Sequence, residues 1–210
     1  MPGLDLLIPF AVATALFAYF PGPALLYTAA QTLARGRRAG FMAAFGIHLG
    51  CYVHVIAAAF GLSAVLHYVP TLYVILKLAG AAYLIWLGIA MWRQQQAAAS
   101  GVDLAAEKST ARALIESLIV EILNPKVALF FLAFLPQFVD PGAAFPVSLQ
   151  FLILGVIVNV AFSSADILTV LLADRLVGFL RQSGRGTRIA KRIGGGALMA
   201  LGVKLALSRQ

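Results

Sequence analysis

Leu123-Asn124-Pro125-Lys126, followed by Val127-Ala128-Leu129-Phe130-Phe131-Leu132-Ala133-Phe134-Leu135-Pro136-Gln137-Phe138, decides how this chain is read. The apolar segment around it runs from about Ala113 to Leu135, long enough to cross a bilayer core of about 30 Å. A proline, an amide and a lysine then fall in the middle of a span. Proline removes a helix donor and frees the carbonyl one turn back. An ammonium at the bilayer centre costs about 3 kcal/mol on the mildest scale. Such a cluster is tolerated where it faces protein or a wet cavity, and an intramembrane ionisable group is by default a site.

A second break of this kind lies near the N-terminus. Pro21-Gly22-Pro23 interrupts an apolar run from Leu6 to Ala30. Glycine between two prolines cannot hold a regular helix. One broken span therefore opens each half of the chain.

Working outward, composition gives the class. The chain has 210 residues, of which 61% are hydrophobic and 11% charged, more apolar surface than a soluble domain of this size can hide. The expectation is an all-α polytopic membrane protein, one domain over 1–210. The net charge of +8 does not point to nucleic acid, because no basic patch is interleaved with aromatics. Cys51 is alone in an apolar span, which removes disulfide frameworks and Cys-X-X-Cys relays. Met1-Pro2-Gly3-Leu4-Asp5 lacks a positive n-region, so the first apolar stretch reads as a retained span.

Six spans are predicted, at about 5–30, 41–66, 70–92, 112–136, 146–173 and 189–207. Basic residues fall in alternate linkers: Arg35, Arg37 and Arg38; Arg93, Lys108 and Arg112; then Arg175 through Arg192. The connections at His67-Tyr68 and Asp140-Pro141-Gly142 carry no Lys or Arg. By the positive-inside rule the basic linkers are cytoplasmic and both termini lie outside. Residues 94–110, with Gln94 to Gln96, read as a flexible cytoplasmic tether.

The chain also echoes itself. Lys77 to Gly88 aligns without gaps on Lys191 to Gly202, and Gly46 and Gly50 in the second span answer Gly155, Asn159 and Ser163 in the fifth. Residues 1–93 would then repeat as 111–210. A three-span unit returns upside down, giving two inverted repeats with broken first and fourth helices.

Pro21-Gly22-Pro23, Gly36-Arg37-Arg38-Ala39-Gly40, Gly46 and Gly50, Gly80-Ala81-Ala82-Tyr83-Leu84 with Gly88, Asn124-Pro125-Lys126 and Leu135-Pro136-Gln137-Phe138-Val139 together resemble the lysine-exporter (LysE/RhtB) family of amino-acid exporters. The resemblance covers nearly the whole chain in order and spacing. It departs at Ala24, where members often carry a polar residue, and at Ser117, where they often carry glycine. It implies a six-helix transporter of the bacterial inner membrane that exports amino acids or similar zwitterions, as a proton antiporter. An intramembrane enzyme or a channel is the other reading. No His-Glu-x-x-His or Gly-x-Ser-x-Gly supports the enzyme. Oligomeric state stays open, a homo-oligomer included.

In inverted-repeat transporters the site lies where broken helices meet. That logic assigns substrate binding to Pro21, Gly22, Pro23, Asn124, Pro125 and Lys126. Val127 to Leu129 would offer N–H groups, and Lys126 would meet a carboxylate or pair with an acid when the site is empty. Asp166 is the first choice for the proton-coupling acid, Glu121 the second, and His48 a further proton carrier. Glu116 reads as an interfacial charge. Phe130, Phe131 and Phe134 could wall a substrate path but read as packing or lipid-facing residues. His48 and His54 are badly spaced for a shared metal, and no cofactor is expected.

Overall fold

A computed structural model describes residues 2–68, 70–93 and 110–182, together with scattered positions between 192 and 207. Every regular element among them is helical. The first span is a bent pair, α1 (Leu4–Tyr19) and α2 (Pro23–Arg35), meeting at 42°. Gly36, at φ 84°, adopts the left-handed backbone that turns the chain into the next helix. The second span begins with α3 (Arg37–Ile56), passes through a π-helical turn at Ala57–Leu62, and ends in α4 (Ser63–Tyr68). At the place of the third expected span lies α5 (Pro70–Arg93), whose 24 residues reach about 36 Å at the usual rise. The fourth is a second bent pair. There α6 (Thr110–Ile122) meets α7 (Pro125–Leu129), which continues as a π-helical turn (Phe130–Phe134) and a 3-10 turn (Leu135–Phe138), with a bend of 41°. The fifth is α8 (Val147–Gln182). Of the sixth expected span only scattered positions are described, half of those that match Lys77–Gly88 among them, and the tether at 94–109 lies outside the described residues.

The distribution of polarity is that of a protein in lipid. Ile8, Val12 and Leu16 on α1, Phe41, Phe45 and Val53 on α3, and Ile157, Val160 and Ile167 on α8 point outward. Thr28, Gln31, Ser117, Glu121, Asn124, Lys126, Asn159 and Asp166 point inward and are buried. Lipid tails are as apolar as leucine, so such helices associate by close packing and internal hydrogen bonds.

Glycine makes the closest packing. A Cβ at Gly46 would lie 2.6 Å from Ser117 Cβ and 2.8 Å from the Leu114 carbonyl; one at Gly50 would lie 2.7 Å from the Leu118 carbonyl. The strip read from Gly46 and Gly50 is thus the seam between α3 and α6. Ser117 is the small residue seated on it. Across α3, Asn159 Nδ2 donates to the His48 carbonyl at 3.2 Å, an interhelical bond of the kind worth about 0.6 kcal/mol in membranes.

An aromatic cluster closes the other side. Phe17 meets Phe130 at 4.9 Å and Phe134 at 5.6 Å between ring centres, and Phe10 meets Phe138 at 5.5 Å. Phe130, Phe131 and Phe134 are core residues, so of the two readings they pack and do not face lipid. Pro136 breaks the α-helical ladder there. Gln137 Nε2 donates to the Ala133 carbonyl at 3.1 Å. Buried Gln150 holds the following loop, exchanging bonds of 2.8 and 3.0 Å with the Asp140 backbone.

Candidate functional site

The two breaks are built alike. At each, an extended residue precedes a proline at the first helical position: Gly22 then Pro23, Asn124 then Pro125. A residue before proline is pushed out of the helical region, and proline at that first position has no N–H to satisfy. Leu26 N–H donates to the Gly22 carbonyl and Ala128 N–H to the Asn124 carbonyl, both at 3.0 Å. The Ala128 donor anticipated for a ligand is therefore already used. Only the second break has a side-chain cap, in which Asn124 Oδ1 accepts from Lys126 N–H at 3.1 Å.

At each break a backbone carbonyl is met by a side chain from elsewhere in the chain. Lys126 Nζ donates to the Phe20 carbonyl at 2.7 Å, at the end of α1 where the helix dipole is negative. His54 Nε2 lies 3.0 Å from the Glu121 carbonyl, the acceptor one turn before Pro125, and its ring stacks on Phe131 at 5.8 Å. The lysine therefore meets a backbone oxygen. Among the described residues it has no carboxylate within ion-pair distance, contrary to the pairing with an acid expected for the empty site.

Gly22 makes that contact fit. A Cβ there would lie 2.7 Å from Lys126 Cδ. The lysine also sits over the rings of Phe162 and Phe20, at 5.5 and 5.9 Å from their centres, close enough for cation–π attraction.

Around this crossing lies a small cavity, with about 20 Å³ open to a water-sized guest. Gly22, Glu121, Asn124, Lys126, Phe162 and Asp166 are among the residues that line it. Space of this size holds about one water. Of the residues assigned from sequence, Gly22, Asn124, Lys126, Glu121 and Asp166 come together. Pro21, Pro23 and Pro125 are exposed and shape the breaks from outside. His48 does not line the cavity; its Nδ1 is hydrogen-bonded to Ser163 Oγ.

The two acids differ in how they are held. Glu121 Oε2 accepts from Asn124 Nδ2 at 3.0 Å, and Cys51 lies beside it. Asp166 Oδ1 is buried without a hydrogen-bond partner. Glu116 pairs with Arg112 at 3.3 Å on the exposed end of α6, where an interfacial charge was expected. Sequence reasoning weighed His54 only as a metal ligand and missed its contact with the break, because Pro125 announces a freed carbonyl at Glu121 but not the side chain that reaches it. Among the described residues no cluster of three or more histidine, cysteine or acidic side chains could hold a metal.

Comparison with known proteins agrees with this architecture. The family model described as LysE type translocator matches residues 15–209. An uncharacterized membrane protein of Pseudomonas aeruginosa is 34% identical over 190 residues, covering 89% of this chain and 88% of its own. A homoserine/homoserine lactone efflux protein of Salmonella typhimurium is 30% identical over 95% of both chains. A leucine efflux protein of an Enterobacter species is 33% identical over 64% of both chains. No solved structure matches. Two spans broken at Gly22-Pro23 and Asn124-Pro125, a lysine joining them, and a family match over nearly the full length together establish that the chain belongs to the LysE type translocator family.

Proposed function

We propose that this protein exports amino acids or similar small zwitterions from the cytoplasm by exchange with protons, across the bacterial inner membrane and with both termini outside. Efflux of homoserine, its lactone and leucine is the named role of relatives, which supports the substrate class. The observation that carries the reading is the crossing of the two breaks. Lys126, buried at 7% exposure, spans from one break to the other above a cavity that also holds two acids. A buried charge bonded to a carbonyl can exchange that oxygen for a substrate carboxylate without becoming unpaired.

In this reading Gly22, Asn124 and Lys126 receive the substrate. Asp166 is the coupling acid, because its carboxyl faces the cavity and is not tied to a neighbour as Glu121 is to Asn124. Glu121 is next in line. His48 packs helices.

Growth of overexpressing cells on toxic amino acids or their analogues, followed by efflux of the labelled hit, tests the function. Tolerance should rise for at least one compound and return to the control level with Lys126→Ala at equal membrane abundance. Asp166→Asn should keep exchange at saturating substrate and lose acceleration by a pH gradient. Parental efflux in Lys126→Ala would overturn the site, and unchanged acceleration in Asp166→Asn would move the coupling role elsewhere.

A further inference from the structure

The side-chain amide of Asn124 can face its neighbours in only one way. The Lys126 N–H can only donate, so it takes the amide oxygen Oδ1, at 3.1 Å. Nδ2 is thereby turned the other way, where it needs an acceptor. Glu121 Oε2 supplies one at 3.0 Å. Glu121 is 1% and Asn124 2% exposed, and at that burial a lost partner is costly.

Glu121 is itself held from α3. A Cβ at Gly50 would lie 2.9 Å from Glu121 Cβ, so the stem of the glutamate packs directly on that helix. Cys51 lies beside its carboxyl group, and His54 meets its carbonyl at 3.0 Å. Asp166 and Lys126 are the charged residues that share the cavity with it. Contacts then run in an unbroken line from Glu121 to Asn124, from Asn124 to the first turn of α7, and from Lys126 Nζ to the Phe20 carbonyl. What this line asks of Glu121 is an oxygen that accepts. A carboxyl oxygen and an amide oxygen both meet that need.

We infer that Glu121 is a positioning residue: by accepting from Asn124 it fixes the amide, the cap on α7 and so the place of Lys126 in the substrate site. This rests on the export reading above and deepens it. The buried acid then has a task that needs no proton transfer, which leaves coupling to Asp166. A role of this kind depends on the match of donor to acceptor across the pair and not on which of the two residues carries the charge.

The test uses the purified full chain in proteoliposomes. Each labelled proteinogenic amino acid is loaded in turn, and the one that wild type exports fastest is carried forward. Glu121→Leu should raise its half-saturating concentration about tenfold, the usual scale for losing a hydrogen bond to a charged group. A role in folding alone would instead lower the amount of folded protein and the maximal rate. Glu121→Gln, which keeps an acceptor, should recover most of the loss and keep the acceleration by a pH gradient. Asn124→Asp sets two carboxyl groups face to face and should be impaired at least as much as Glu121→Leu. Adding Glu121→Gln to Asn124→Asp exchanges donor and acceptor at unchanged net charge and should restore most of the affinity. Half-saturation in the double variant no better than in Asn124→Asp would overturn the inference while leaving the export reading intact. Loss of pH-gradient acceleration in Glu121→Gln would also overturn it, by making the residue a proton carrier. Both outcomes are read without Glu121→Leu, so poor insertion of that variant does not shield the inference. Export of no amino acid by wild type would remove the export reading and the positioning role together.

Discussion

The imidazole of His54 lies 3.0 Å from the carbonyl of Glu121, the oxygen that Pro125 cannot serve and that Asn124 N–H reaches from within the break, also at 3.0 Å. The bond from His54 requires hydrogen on Nε2. It ties α3 to the break in the fourth span. We expect His54→Ala to cost about 1 kcal/mol of stability, the net worth of one hydrogen bond to a carbonyl that keeps its other donor. Thermal unfolding in detergent measures it, and His54→Gln, which keeps a side-chain N–H, should recover part of the loss. Unfolding of His54→Ala at the parental temperature would show that the Asn124 N–H alone satisfies the carbonyl.

Gly22 predicts a sharp size limit. An added Cβ would lie 2.7 Å from Lys126 Cδ, so Gly22→Ala should push the lysine away from Phe20 and reduce efflux about tenfold, as loss of one charge-assisted bond would. Gly61 is the control: nothing lies within 4 Å of a Cβ there, and Gly61→Ala should transport normally. Equal rates in the two variants would mean that the lysine shifts at no cost.

At the α3–α6 seam the obstacle is backbone. Gly50→Ala would bring a Cβ within 2.7 Å of the Leu118 carbonyl and 2.9 Å of Glu121 Cβ. Overpacking of this kind costs about 1–3 kcal/mol. The expected result is lower thermal stability together with reduced efflux, since α6 carries Glu121. Reduced efflux at full stability would instead mark Gly50 as a moving contact.

Orientation is open to chemical labelling, because Cys51 is 1% exposed and gives little background. A cysteine at Arg38, in the first basic connection, should resist a membrane-impermeant thiol reagent in intact cells and react after permeabilisation. A cysteine at Gly142 should react in both. The reverse pattern would invert the proposed topology.

The fold was legible where physics leaves few choices. Proline and glycine inside apolar runs gave both bends, because nothing else keeps Pro21-Gly22-Pro23 or Asn124-Pro125 in a span. Gly46 and Gly50 gave a helix seam through their lack of side chain. The spacing of Glu121 and Lys126 already argued against a shared helical face, and Glu121 binds Asn124 instead. The partners of Lys126 and His54 were not legible. Each is a contact between distant parts of the chain, and Lys126 and Phe20 are 106 positions apart. Charge alone pointed Lys126 at an acid, whereas the end of a broken helix supplied a nearer acceptor. The π-helical turn at Ala57–Leu62 had no proline to announce it.

On the proposed site, the bond from Lys126 to Phe20 would make the binding residue its own rival. An incoming carboxylate would compete for the lysine with a tethered oxygen whose local concentration never falls, so its apparent affinity would be the intrinsic one discounted by that rivalry. For a pump that should ignore a modest internal pool and act on excess, the setting of its threshold would lie in a single main-chain carbonyl that no side-chain substitution at position 20 can remove.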